Sequence, residues 1–238
     1  MRADRVEHWG LPPEPSRAPR PAAARQPAPA PGQAAPAAPG GGFGAAFRAL
    51  VGRKLRELGG RWRDRAERSR RAEAARRAAA EMARRIERQT GHRPAEATIR
   101  RNARLDRTPR GVDQARLDRQ TRIDQAGGVN AFARQAGVSP RAVPRWRDRG
   151  RPLSPRSVRV VADVVGTLWA NGEPYPRSLT ADVTLDPPEA DAVRAAYAVG
   201  DWGALADVLG EAITEQVEWA GEAERWFEVE AITDVTVH

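Results

Sequence analysis

Val129-Asn130-Ala131-Phe132-Ala133-Arg134-Gln135-Ala136-Gly137-Val138-Ser139-Pro140-Arg141-Ala142-Val143-Pro144-Arg145-Trp146 has the spacing of a helix-turn-helix, the arrangement that sets a helix in a DNA major groove. Two short helices that cross steeply need a small residue where they touch, and Ala133 is placed for it. The bend needs a residue that tolerates positive φ, and Gly137 follows four positions later. Ser139 and Pro140 read as the N-cap and first position of the second helix. Val143 and Trp146, three residues apart, form that helix's inner side. Arg141 and Arg145 are then left outside to touch base edges, with Arg147, Arg149 and Arg151 beyond them for phosphates. Arg134 and Ser139 complete the DNA-facing set. A plain helical hairpin satisfies the same apolar spacing. Pro144 falls in the second turn of the helix so drawn, where an interior proline costs ~3 kcal/mol, so the helix is expected to kink there or to begin later.

Outward from this stretch, Val112–Gln125 reads as the helix leading in. On the other side, Ser154-Pro155 looks like a second cap. Val158, Val161, Ala162, Val165, Leu168 and Trp169 follow it as a helical stripe. These bounds predict a small helical DNA-binding domain over 112–172. Residues 173–178 then read as a linker.

The last 60 residues differ in kind. Leu179, Ala181, Val183 and Leu185 alternate with polar residues as in a half-buried strand. Asp186-Pro187-Pro188-Glu189 starts a helix, Gly200 ends it and Asp201 caps the next. Phe227, Val229, Ala231, Val235 and Val237 alternate again. The expectation is a strand-helix-helix-strand domain over 179–238. A two-stranded sheet is marginal alone, which leads to the further expectation that two chains pair sheet edges as a homodimer.

Before the motif, residues 1–42 are rich in Pro, Ala and Gly and hold few large apolar side chains, the composition of a disordered tail. Gly40-Gly41-Gly42 lacks the Gly-Lys-Ser/Thr of a phosphate loop. Phe43, Phe47, Leu50, Val51, Leu55 and Leu58 recur at helical spacing between basic residues. That helix is read as packing on the protein's own core, with a partner helix or a membrane surface as alternatives. Arg61–Gln89 is a long Arg/Ala/Glu helix with a thin inner face of Ala66, Ala72, Ala75, Ala79, Met82 and Ile86. It reads equally as a solvated helix with pairs such as Glu81–Arg85 or as an arm that tracks phosphates. Residues 90–112 form an Arg-rich connection, so 43–111 is a basic helical extension. The fold class expected is α+β and mostly helical.

Charge is strongly segregated. The chain carries +9 overall, whereas Leu179–His238 has 14 acidic residues against two Arg, a net of −12. A basic body with an acidic end predicts a polyanion partner for the first part. With no Cys and scattered His8, His92 and His238, neither a disulfide framework nor a zinc site is expected. No cofactor is called for. No apolar run approaches the ~20 residues of a spanning helix and no signal-peptide core opens the chain, so the expected location is the cytoplasm, on the nucleoid, with no membrane partner. Paired carboxylates, a Ser-His arrangement and a nucleotide loop do not stand out, and a conventional enzyme is not expected.

Three segments together resemble a family: Ala133–Val143 in the basic part, the strand Ser178–Leu185, and the acidic end Phe227–Val235. Over residues 112–238 the chain resembles the telomere-protecting terminal proteins of linear bacterial replicons. The resemblance implies binding to replicon ends, work with a telomere-associated protein and a DNA polymerase, and covalent attachment to the DNA 5′ end through a side-chain hydroxyl that primes replication. That chemistry needs one exposed Ser, Thr or Tyr oxygen. The family's acceptor lies between the helix-turn-helix and the first strand. This interval holds Ser154, Ser157, Thr167, Tyr175 and Ser178. Tyr175, between two prolines, and Ser178 are the leading candidates, with Thr167 next. The family's acceptor is a Thr, and none stands in 173–178. The alternative is a transcription or partition regulator with a C-terminal dimerisation domain and no covalent chemistry; a third reading is an interaction protein whose DNA binding is incidental.

Overall fold

Valines in alternation place a strand, not a helix, after the basic motif. The computed structural model describes residues 41–219 and 224–238. Among them are eight α-helices and one three-stranded antiparallel sheet. The expected disorder of residues 1–42 falls, for 1–40, outside the described residues.

Four helices come first: α1 (Phe43–Arg56), α2 (Glu67–Thr90), α3 (Glu96–Arg104) and α4 (Gln114–Ala126). The apolar stripe of α1 packs on the molecule's own core, with Phe43 and Leu50 fully buried against Met82 and Ile86 of α2, Ile99 of α3 and Leu117 of α4. The buried face of α2 is Ala74, Ala78, Ala79, Met82, Ala83 and Ile86. It is rotated from the expected one, and Ala66 and Ala72 face solvent. Glu81 pairs with Arg85 at 3.3 Å. The 90–112 connection contains α3, whose single buried apolar residue, Ile99, is too little to announce a helix by period.

Two short helices follow, α5 (Val129–Gln135) and α6 (Ala142–Arg149), and then β1 (Val158–Ala170) and β2 (Glu173–Leu185). The expected helix over 155–169 is therefore wrong. Val158, Val160, Ala162 and Val164 are buried in alternation, and β-branched residues suit a pleated surface better than a helix. The turn is Asn171-Gly172, at φ 52° and 81°, between the paired Ala170 and Glu173. Both central residues at positive φ make the two-residue hairpin that Asn-Gly favours. The expected linker 173–178 is the first half of β2, and a boundary at 172/173 would cut this hairpin.

The capping box of Asp186 and Glu189 opens α7 (Pro187–Tyr197), and the Asp201 carboxylate accepts from Ala204 N–H at the start of α8 (Trp202–Gln216). The chain returns as β3 (Arg225–Val237), giving the order β2-β1-β3. The C-terminal unit is thus strand-strand-helix-helix-strand, with β1 central. The helices cover one face, over a core that includes Val158, Val183, Leu205, Leu209, Ile213 and Phe227. On the covered face β3 lies so close that a Cβ on Gly166 would stand 2.1 Å from the Glu228 carbonyl oxygen, and one on Gly210 of α8 2.7 Å from that of Phe227. A side chain at either place would push the strand away.

Candidate nucleic-acid interface

The segment between α5 and α6 is built as a tight turn. Gly137 sits at φ 64°, and the Val138 N–H donates to the Ala133 carbonyl at 2.9 Å, a closure that satisfies a carbonyl at the end of α5. Ala133 is buried at the contact. Phe132 of α5 stacks on Trp146 of α6, centroids 5.2 Å apart, and Val143 is fully buried beside them. The inner side of α6 is therefore the expected Val143 and Trp146.

Its start differs from expectation. Ser139 does not cap the helix: its hydroxyl accepts from Arg141 N–H at 3.3 Å within the turn, and α6 begins at Ala142 after Arg141. Pro144 then occupies the third helical position. There its missing N–H is one that a helix leaves unpaired anyway.

The outer side carries Arg141, Arg145 and Arg149 at four-residue spacing, all exposed, with Arg134 and Arg151 exposed to either side. Among the described residues none of these five has a carboxylate partner. Arg145 Nε donates to the Arg141 backbone carbonyl at 3.4 Å, which lays the Arg145 side chain back along the helix. Arg147 does not join them. It points back to Asp148, with two contacts of 2.7 Å, and to Gln120 Oε1 of α4 at 3.4 Å. Asp148 also accepts from Arg116 at 2.9 Å. The Arg147 hydrogen bond holds the Asp148 carboxyl below its usual range, and the same bond raises Arg147. The expected phosphate contact is thus a brace between α6 and α4.

On the buried side of α4 stands a residue that sequence reasoning missed. Asp124 is 1 % exposed and accepts from Arg85 at 2.6 and 3.1 Å, from Arg53 at 3.1 Å and from Gln120 at 3.1 Å. Arg56 adds bonds to the Asp124 and Gln125 carbonyls. One carboxylate thereby ties α1 and α2 to the helix that carries the α5–α6 pair. In a polar helical stretch nothing in the sequence distinguishes such an aspartate from a solvated one.

A second tie joins this region to the sheet unit. Asp191 of α7 accepts from Leu153 N–H at 2.8 Å, and Ala195 and Ala198 of α7 share a core with Phe132 and Trp146. The other Asp191 oxygen is buried without a donor among the described residues, and burial pushes this carboxyl up.

The three hydroxyl candidates all lie in the sheet. Thr167 is on β1, not on a helix, and donates to Glu230 Oε1 at 2.6 Å. Ser178 of β2 is exposed opposite Val165. Tyr175 is not in a loop: it stands on edge strand β2, 43 % exposed, with the Arg177 guanidinium 5.8 Å from its ring centre. Ser178 and Thr167 face away from the helices, whereas Tyr175, paired with the inward Leu168, points to the other side. Among the described residues no three His, Cys, Asp or Glu side chains are grouped to hold a metal, and no helix is long and apolar enough to cross a membrane. No family model, curated protein or solved structure matches the chain.

Proposed function

We propose that the protein binds duplex DNA by placing α6 in the major groove as the second helix of a helix-turn-helix. The observation that carries this reading is the row Arg141, Arg145, Arg149. It is exposed and free of carboxylate partners among the described residues, on a helix whose opposite side is fixed by Val143 and Trp146. Guanidinium groups suit both the paired acceptors of guanine and phosphate oxygens. Residues near the start of α6 are placed for base edges, those near its end for phosphates. Arg141→Ala is expected to cost roughly 1–3 kcal/mol at one base position and relax sequence preference, and Arg149→Ala to weaken all duplexes about equally and flatten the salt dependence. Fluorescence anisotropy on selected and scrambled duplexes over a salt series measures both. Identical behaviour of the two variants would overturn the orientation of α6.

The finer reading is a terminal protein that caps replicon ends and works with a telomere-associated protein and a DNA polymerase. The exposure of Tyr175 favours it. In that reaction the Tyr175 oxygen attacks the α-phosphorus of a deoxynucleoside triphosphate in the polymerase site. The hydroxyl proton is lost, pyrophosphate leaves, and a phosphodiester to the protein remains. Thr167 is the weakest candidate because its hydroxyl already serves Glu230. Transfer of labelled deoxynucleotide in a host extract, with Tyr175→Phe and Ser178→Ala beside the parent chain, tests it. A detergent-resistant label lost in one variant names the acceptor. No label, in an extract that labels a known terminal protein, leaves a regulator of transcription or partition.

A further inference from the structure

A cavity of about 400 Å³ opens between α2, α4 and α6, on the side of α6 away from Arg141 and Arg145. Its volume lies within the range of small-molecule sites. Ile86, Val112 and Leu117 give it an apolar wall. Arg88, Arg116 and Arg147 supply cations at its rim. Arg116 and Arg147 share the one carboxylate of Asp148, and among the described residues Arg88 reaches only Glu81, at 3.9 Å. Positive charge is therefore in excess. The Gln89 side-chain oxygen, also lining the cavity, is buried with no donor among the described residues. A buried acceptor left unmade is costly, so the cavity suits a ligand that brings an N–H to it.

An anionic group for the guanidiniums, a flat apolar body for the wall and an N–H donor for Gln89 together describe a nucleotide. We propose that this cavity binds a nucleoside monophosphate, the phosphate at Arg88, Arg116 and Arg147 and the base against Ile86 and Leu117. A ligand there touches α2, α4 and α6 at once, so it bears on the setting of α6 from behind. The site shares no side chain with the row on the outer face of α6.

The test is isothermal titration calorimetry of the full chain with AMP and with GMP, using adenosine and inorganic phosphate as controls. One nucleotide is expected to bind at a 1:1 ratio, about tenfold or more tighter than either control. Arg88→Ala, on an exposed side chain, is expected to weaken it about tenfold with an unchanged circular dichroism spectrum and melting temperature. Arg145→Ala is expected to leave it unchanged. Nucleotide binding no tighter than inorganic phosphate overturns the proposal. So does loss in Arg145→Ala with retention in Arg88→Ala, which would put the nucleotide on the DNA-facing row. Failure here leaves the duplex-binding reading untouched, since that rests on other residues.

Discussion

At the scale of single residues, what a side chain does depends on the partner within reach. Arg141, Arg145 and Arg149 were legible because helical spacing separates them from Val143 and Trp146. Arg147 was not, because the adjacent Asp148 captures it and turns it toward α4. Asp124 shows the same limit more sharply, since its three nitrogen-bearing partners come from positions 53, 85 and 120. Its removal takes the buried carboxylate from Arg53 and Arg85, leaving them their more exposed pairs with Glu57 and Glu81, and breaking a buried pair costs up to about 3–5 kcal/mol. Asp124→Ala is expected to lose that much in urea unfolding, and an exposed-pair control such as Glu67→Ala, within about 1 kcal/mol of the parent. Asp191 works in the opposite sense. Burial raises its folded pKa above the unfolded value, so this group weakens the fold as pH rises from the unfolded value through the folded one. Asp191→Asn keeps an acceptor for Leu153 N–H and removes the charge. It is expected to be at least as stable as the parent at neutral pH, with a flatter pH profile above the ordinary aspartate range. A variant less stable at neutral pH would show that the ionised carboxylate is what holds Leu153.

Among the elements, α6 and β1 show where pattern reading succeeds and where it stops. The inner and outer sides of α6 follow from spacing, but its first residue does not, because Ser139 serves the turn instead of the helix. The late start places Pro144 in the first turn. Pro144→Ala is therefore expected to change stability by less than about 1 kcal/mol, against the ~3 kcal/mol of an interior proline. A larger gain on substitution would mean that the proline strains the helix. The strand β1 was hidden for a physical reason. As the central strand it carries Val161, Val165 and Trp169 on its outer face as well as valines within, so its alternation is blurred and a helical stripe can be drawn through it. Asn171-Gly172 was the signal that decides between the two, because a two-residue turn of that type joins strands and does not end a helix. The helices α7 and α8 were readable from their caps, Asp186 with Glu189 and Asp201, together with apolar spacing such as Leu205, Leu209 and Ile213.

For the whole molecule, the charge segregation maps onto two structural parts, a basic helical body and an acidic sheet unit. The homodimer expected from sheet edges now has a definite geometry to test. Edge strand β2 carries Pro174 and Pro176, which lack the N–H a new ladder needs, leaving β3, which has β1 on one side only. Two antiparallel copies of β3 centred on Ala231 would set Glu228 across from Asp234, and like charges directly opposite disfavour pairing. Association through β3 is thus expected to strengthen with added salt in analytical ultracentrifugation. A monomer at both low and high salt would remove the edge-paired dimer. The place of β1 has one more consequence, in the order in which a ribosome delivers the chain. The hairpin partner β2 follows at once, but β3 arrives about 55 residues after β1 ends. Until then the nascent chain holds a valine-rich strand with one edge open. A message cut short before residue 225 would release that open strand permanently, making a truncated product a seed for aggregation and a natural target for quality control.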